Sequence, residues 1–216
     1  MVLESVGILI SMRPFNERDV IAQVFTRDWG IVVGMIKGAL GAKKNKPVVG
    51  QIGDVSWNAR LDSQLGVFHW AASKNLAADL MSDYDKLKFM NAAFELLGAL
   101  LPEREAYQGL YQETVDMLQN LGMMAGDAYL GWEMCLLRDL GYAMDLTRCS
   151  GCGGTDNLNF ISPRTARAVC NQCAQPYLNK LYKMPVNLGV TYRFLENVCA
   201  QQGVKMPLGR CLLRTL

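Results

Sequence analysis

The sequence predicts an α+β chain in which a small β-barrel is followed by helices. Two observations predict it: roughly the first 75 residues alternate short β-branched and aromatic stretches with turn signals, and most of the remainder follows helical spacing. Half of the 216 residues are hydrophobic, which is enough to bury a sizeable core in one large domain or two small ones. A wholly disordered chain is therefore not expected.

Five strands fit the N-terminal pattern, with tight connections at Asp28-Trp29-Gly30 and at 62–66 and one long, flexible, basic connection from Lys37 to Gly53. The predicted strands are Gly7 to Met12, Val20 to Thr26, Ile31 to Ile36, Asp54 to Leu61 and Gly66 to Ala72. Five short strands favour a closed barrel, of which the OB-fold is one common kind and binds oligonucleotides through its face and loops. Periodicity does not separate it from an SH3-like barrel.

Helical spacing begins after Ser73 and predicts several amphipathic helices. The first runs up to Pro102, and the second ends at Gly122 in the left-handed position past its last turn. A third helix starts at Asp127, a good N-cap, and stops at Gly141. The C-terminal helices are predicted at Leu188 to Ala200 and at Arg210 to Leu216.

Four cysteines form the most specific motif in the chain. The pairs Cys149/Cys152 and Cys170/Cys173 are separated by seventeen residues, a spacing typical of a four-cysteine zinc site. Two residues between paired cysteines let both thiolates reach one centre, and the second pair completes the tetrahedron that Zn²⁺ prefers. Four protein ligands leave no position for water, so a structural role is predicted. The alternatives are four unrelated buried thiols or a redox pair, which needs a βαβ pattern that is missing.

The net charge of +2 is unevenly distributed. Residues 1–83 carry a net +1, residues 84–145 carry −6, and residues 146–216 carry +7. The basic last third is a candidate surface for a polyanion, although solvated helix faces give the same count. The candidate DNA-binding residues are Lys37, Lys43, Lys44 and Lys46 in the long barrel connection, and Arg148, Arg164 and Arg167 around the cysteines. Trp57 and Phe68 are candidates for base stacking, with core packing as the alternative.

The motifs of common enzyme classes are missing. His69 is the single histidine and lies in a strand-like stretch, and there is no phosphate-binding loop, dinucleotide fingerprint or nucleophile elbow. A zinc deaminase would need Pro before the second cysteine pair, where Val169 stands. No membrane span is expected, because the longest apolar run is short and contains Glu95. The N-terminus lacks the features of a secretory signal, so we expect a cytoplasmic protein. Because the catalytic motifs are missing, we expect it to be non-enzymatic.

The order of these parts and three stretches of sequence resemble the RecO family of bacterial DNA repair and recombination mediators. The stretches are Gly7 to Ile10 followed by Glu17 and Val24-Phe25-Thr26, Leu140 to Leu146 running into Arg148-Cys149, and Ile161 to Cys170. The last of these, I-S-P-R-T-A-R-A-V-C, is the most distinctive. The resemblance runs through the whole chain, and this sequence keeps all four cysteines, some of which other family members have lost.

The resemblance implies an α+β protein with a five-stranded OB-fold barrel over residues 1–80. It implies a helical domain over residues 81–216 with a zinc knuckle inserted at about 145–180, and a structural Zn²⁺ rather than a catalytic one. The implied activity is binding and annealing of DNA strands without catalytic turnover, at the nucleoid. The implied partners are single- and double-stranded DNA, RecR, the C-terminal tail of the single-stranded-DNA-binding protein and, indirectly, RecA. A zinc-ribbon transcription or RNA-binding factor and a non-annealing interaction scaffold are the alternatives.

Overall fold

A computed structural model gives the structure of the chain for residues 1–41, 46–61, 64–78, 80 and 83–214. The N-terminal part is a closed barrel with the strand order β1-β2-β3-β5-β4. Its strands are β1 (Val2–Pro14), β2 (Val20–Thr26), β3 (Gly30–Ile36), β4 (Gln51–Asn58) and β5 (Gly66–Asn75). Neighbouring strands are antiparallel except β3 and β5, which are parallel. This is OB-fold topology, so the SH3-like alternative is excluded.

The first strand is longer than the sequence predicted, because it serves two partners. Its first half pairs with β4, with Val2 opposite Asn58, and its second half pairs with β2, with Pro14 opposite Val20. The continuous apolar run covers only the buried centre of β1, whereas the ends carry exposed residues such as Glu4 and Arg13, so the sequence predicted only the centre. Strand β4 begins and ends earlier than predicted, whereas β2 was predicted correctly.

The barrel interior combines aliphatic side chains with two buried aromatic rings. Trp57 is 1% exposed and Phe68 is 3% exposed, and the indole N–H of Trp57 donates to the Val33 carbonyl over 2.9 Å. A Cβ atom added at Gly66 would lie 2.1 Å from the Trp57 ring, so this glycine makes room for the indole. Of the two roles considered for Trp57 and Phe68, core packing is therefore confirmed, and neither ring is exposed for base stacking.

The helical part has two long helices followed by shorter ones. They are α1 (Tyr84–Leu100), α2 (Gln108–Asp139), α3 (Asn171–Ala174), α4 (Leu188–Gln202) and α5 (Leu208–Leu212). Helix α2 comprises two limbs that meet at Met124, whose φ of −136° and ψ of 63° are not helical. The helix end predicted at Gly122 is wrong, because Gly122 lies within α2 and the non-helical residue is Met124, two positions later. Asp127, the predicted N-cap of the next helix, also lies within α2. Gly141 does adopt a left-handed conformation, with φ of +89°.

One hydrophobic core extends from the outside of the barrel into the helices. The ring of Phe25 on β2 lies 5.7 Å from that of Tyr111 on α2, measured between centroids. The backbone N–H of Gly209 on α5 donates to the Glu95 carboxylate on α1 over 2.7 Å. A smaller second core fills the barrel. Within the described ranges, none of the helices has the length and apolar character needed to cross a membrane.

Candidate metal centre and nucleic-acid interface

Residues 145–183 form a small substructure, the knuckle, between α2 and α4. It contains a sheet with the order β7-β6-β8, built from β6 (Leu158–Ile161), β7 (Ala168–Cys170) and β8 (Tyr182–Lys183). Helix α3 and a 3₁₀ helix (Gln175–Lys180) connect β7 to β8. At its base, Arg167 and Asp145 form a β-bridge and an ion pair with a separation of 3.2 Å.

The four cysteines of the two pairs converge at one end of the knuckle. Cys149 and Cys152 lie on the turn that enters it, Cys170 ends β7, and Cys173 lies on α3. Their four Sγ atoms all lie within 4.8 Å of one another, and the Sγ atoms of Cys152 and Cys170 are 3.8 Å apart. A tetrahedron with Zn–S bonds of about 2.3 Å places its sulfurs about 3.8 Å apart. The arrangement of the cysteines therefore fits a tetrahedral metal ion.

Backbone groups of the knuckle stabilise negative charge on one of these sulfurs. The N–H groups of Cys170 and Gly151 both donate to Cys149 Sγ over 3.3 Å. These hydrogen bonds, with that of Cys170 the strongest, lower the pKa of Cys149 to about 6. Hydrogen bonding with the neighbouring thiols, Cys170 first, raises the pKa of Cys173 to about 12. Crowded sulfurs resist ionising together, and a bound dication removes this conflict by neutralising the thiolates.

The loop between the first two cysteines is adapted to the cluster. A Cβ atom added at Gly151 would lie 3.0 Å from Cys173 Sγ, so a side chain there would crowd a candidate ligand. Gly153 has φ of +76°, and its N–H donates to the Cys149 carbonyl over 2.9 Å. The sequence C-S-G-C-G-G thus folds into the tight turn that directs both sulfurs to the same centre.

The predicted basic residues lie on two separate parts of the fold. Lys43 and Lys44 fall outside the described residues, while Lys37 and Lys46 are exposed on the barrel. Lys46 borders a barrel groove that Lys74 and Trp70 also line, two residues that the sequence reasoning did not select. Trp70 is half-buried at the barrel surface, in contrast to the fully buried Trp57.

The knuckle presents the remaining predicted cations. Arg148 and Arg164 are exposed, and Arg167 is exposed but engaged by Asp145. The structure also shows a groove, here called the basic groove, between the knuckle and α4, which was not predicted as a site. Its cations are Lys180, Lys183, Arg193 and Arg214. The sequence signal for this groove is the placement of Lys and Arg next to tyrosines, in Lys180-Leu-Tyr-Lys183 and Tyr192-Arg193.

The fold and the site define a class of protein: an OB-fold barrel joined to a helical domain that carries a four-cysteine knuckle. Residues 1–75 match the family model "Recombination protein O N terminal", and residues 81–214 match "Recombination protein O C terminal". The chain belongs to the RecO family.

Individual relatives agree with this assignment. The chain is 37% identical over 198 residues to the "DNA repair protein RecO" of Jannaschia sp. (strain CCS1), covering 90% of this chain and 80% of the relative. It is 38% identical over 183 residues to the protein of the same name from Dinoroseobacter shibae, covering 83% of this chain and 76% of the relative. The protein of that name from Roseobacter denitrificans is 38% identical over 185 residues, covering 83% of this chain and 76% of the relative.

Proposed function

We propose that this protein binds single- and double-stranded DNA and anneals complementary strands during repair and recombination, without catalytic turnover. The observation that carries the proposal is the family membership, since the relatives are named DNA repair proteins. The positively charged last third of the chain, with its exposed arginines at the knuckle, supports it.

Annealing places specific physical demands on such a protein. Two strands must be held close enough to pair, so the repulsion between their phosphates has to be neutralised. The bases must remain free, because firm contacts to base edges would block pairing. Diffuse contacts from Lys and Arg satisfy both demands and give binding that weakens steeply with salt and depends little on sequence.

The proposed partners follow from the same family. With RecR, the protein would help to load RecA onto strands covered by the single-stranded-DNA-binding protein, acting at the nucleoid in the cytoplasm. Contact with the acidic C-terminal tail of that binding protein is favoured by a positively charged surface, which the last third of the chain supplies.

We propose that the four cysteines hold a structural Zn²⁺. The ion would supply four strong bonds that fix the knuckle, and it would leave no open position for substrate. Cys149, Cys152, Cys170 and Cys173 are the ligands, as their mutual distances support. The backbone N–H groups that donate to Cys149 Sγ orient this ligand from outside the metal sphere.

The proposed function is tested by annealing of complementary labelled oligonucleotides coated with single-stranded-DNA-binding protein, with and without this chain, at two salt concentrations. Acceleration that weakens at higher salt is the expected result. Competition between single-stranded DNA and RNA separates the mediator from a zinc-ribbon transcription or RNA-binding factor, which should prefer RNA or a defined sequence. Tight binding of DNA and of the binding protein without acceleration would contradict annealing and favour an interaction scaffold.

A further inference from the structure

The basic groove has the composition of an anion-binding site. It encloses about 650 Å³ between the knuckle and α4. Lys180 and Lys183 project from the knuckle side, and Arg193 and Arg214 from the side of α4 and the C-terminal segment. Among the described residues no carboxylate lines the groove, and none of these four cations forms an ion pair. The charge of the groove is therefore available to a ligand.

Both guanidinium groups of the groove are held in place by tyrosine rings. The guanidinium of Arg193 lies 5.4 Å from the centroid of the Tyr182 ring, and that of Arg214 lies 5.0 Å from that of Tyr192. These cation–π contacts restrict the arginines before any ligand binds, so less conformational entropy is lost on binding. The planar N–H edges remain available for bidentate bonds to phosphate oxygens.

The start of α4 contributes to the same groove. Its N-cap Asn187 and the first-turn residues Gly189 and Val190 line the groove, so the positive end of the helix dipole acts alongside the four side chains. The lining is mainly polar, with Asn179 and Asn187 among the side chains. Of its larger apolar side chains, Val190 and Tyr192 are buried, and Leu181 and Tyr182 are half-buried. Such a lining suits a chain of charged groups better than it suits an apolar side chain.

We infer that the basic groove binds consecutive phosphates of a single nucleic-acid strand. The inference rests on the proposed function and assigns it a surface distinct from the barrel connection. Four cations without counter-charges repel one another, and a ligand with several negative charges in sequence relieves this repulsion. A flexible single strand can follow a concave groove, whereas the stiff duplex presents its phosphates on a convex surface. The groove therefore favours single strands over duplexes.

The test compares two variants that each lose three positive charges. The groove variant carries Lys180→Gln, Lys183→Gln and Arg193→Gln. The matched control variant carries Arg13→Gln, Arg60→Gln and Lys205→Gln, three exposed cations outside the groove and outside the other candidate DNA-binding residues. Binding to a labelled oligothymidine of about 20 nucleotides is measured by fluorescence anisotropy over a salt series. The groove variant should bind at least about 10-fold more weakly and lose about 2 from the slope of log K against log salt, since each single-strand phosphate contact contributes about 0.7. Circular dichroism and metal content should match the wild type in both variants.

The possible outcomes distinguish failure of the groove inference from failure of the proposed function. Equal weakening in both variants would overturn the groove, because net charge alone would then explain the loss. Unchanged DNA binding in the groove variant would also overturn the inference. If that variant then failed to bind an Asp-rich peptide with a free carboxyl end, the groove would be a peptide site. Failure of the wild-type chain to bind the oligonucleotide at all would contradict the proposed function itself. A smaller loss for duplex DNA than for the single strand supports the inference.

Discussion

At the scale of single residues, the glycines of the barrel show how a missing side chain allows a large one to be buried. The Trp57 ring lies where Cβ atoms at Gly34 or Gly66 would stand, at 2.8 Å and 2.1 Å respectively. The ring gains burial and a hydrogen bond to the Val33 carbonyl, and the guanidinium of Arg104 lies 4.6 Å from its centroid. Since neither glycine needs positive φ, close packing rather than backbone conformation explains the requirement.

This packing predicts opposite effects for the same substitution at two positions. Gly66→Ala should destabilise the protein by about 1–3 kcal/mol, because the added methyl group overlaps the Trp57 ring in a filled core. Gly131→Ala is the matched control, because this helical position has no atom within 4 Å of the added methyl group and should gain about 0.5–1 kcal/mol. Urea denaturation followed by tryptophan fluorescence measures both. A Gly66→Ala variant as stable as the wild type would contradict the packing argument.

At the scale of elements, a buried polar cluster joins three helices. Glu133 on α2 and Arg210 on α5 form an ion pair in which both side chains are 0% exposed. The hydroxyl of Thr191 on α4 donates to Glu133 over 2.8 Å, and the Arg210 guanidinium donates to the Leu188 carbonyl over 2.6 Å. Burial raises the pKa of Glu133, although Arg210 opposes this effect. The short helix α5 is thus held by the Arg210–Glu133 ion pair as well as by packing.

Breaking one side of the pair should therefore be strongly destabilising. Arg210→Met is expected to cost about 3–5 kcal/mol, because it leaves Glu133 as an uncompensated buried charge. Without Arg210 the pKa of folded Glu133 rises further above its unfolded value, so the folded state takes up a proton as pH falls. The loss should accordingly be larger at pH 8 than at pH 5. Urea titrations at both pH values measure it.

Two further variants show whether the cost comes from the unpaired charge. Adding Glu133→Leu to Arg210→Met should recover much of the stability, since the buried charge is then gone. Lys205→Met, which removes an exposed cation shortly before α5, should change stability by less than about 0.5 kcal/mol. A double variant less stable than Arg210→Met alone would show that the pair itself, rather than the orphaned carboxylate, dominates.

The end of the knuckle that carries the cysteines has a separate apolar core too small to hold it, whereas Ile161 and Ala166 belong to the main core. Its separate cluster of buried residues consists of Cys149, Val169, Cys170 and Ala174, two of which are candidate metal ligands. Removal of the proposed metal should therefore unfold this end of the knuckle and leave the barrel intact, because the barrel has its own core. Hydrogen exchange after chelation should show lost protection around the four cysteines, in residues 149–154 and 169–174, and retained protection in β1–β5. Unchanged protection throughout would contradict a bracing role for the metal.

A cysteine variant checks that the metal lies at this cluster. Cys170→Ser should reduce the metal content of the purified protein from about one ion per chain to near zero, because a structural tetrahedral site requires all four thiolates. Cys211→Ser, which changes a cysteine outside the cluster, should retain the ion. Elemental analysis measures both variants, and retention of the full metal content by Cys170→Ser would exclude it as a ligand.

At the scale of the whole molecule, features set by neighbouring residues could be predicted from the sequence, whereas features set by tertiary contacts could not. Strand β2 was predicted correctly because a short run of β-branched and aromatic residues is a local signal. The cysteine pairs converge as their short spacing predicted. The ends of β1 depend on two different partner strands, and the helical path through Gly122 depends on packing of both limbs of α2. The basic groove combines residues from the knuckle, α4 and the C-terminal segment, so no single stretch of sequence displays it.

The groove couples the proposed metal to the proposed DNA binding, because the knuckle supplies one of its two sides. Loss of the metal should loosen the segment that carries Lys180 and Lys183. Helix α4 and its side of the groove should remain folded, with the Tyr182 ring held against Phe194. Affinity for a single strand should then fall by roughly 10-fold or more, and the salt slope should decrease, as for the groove variant. Binding of labelled oligothymidine to chelated, and then zinc-restored, protein measures this. The groove variant should show little further loss on chelation, since its contacts are already absent. An equal additional loss in that variant would place the metal-dependent contacts elsewhere on the knuckle, such as at Arg148 and Arg164.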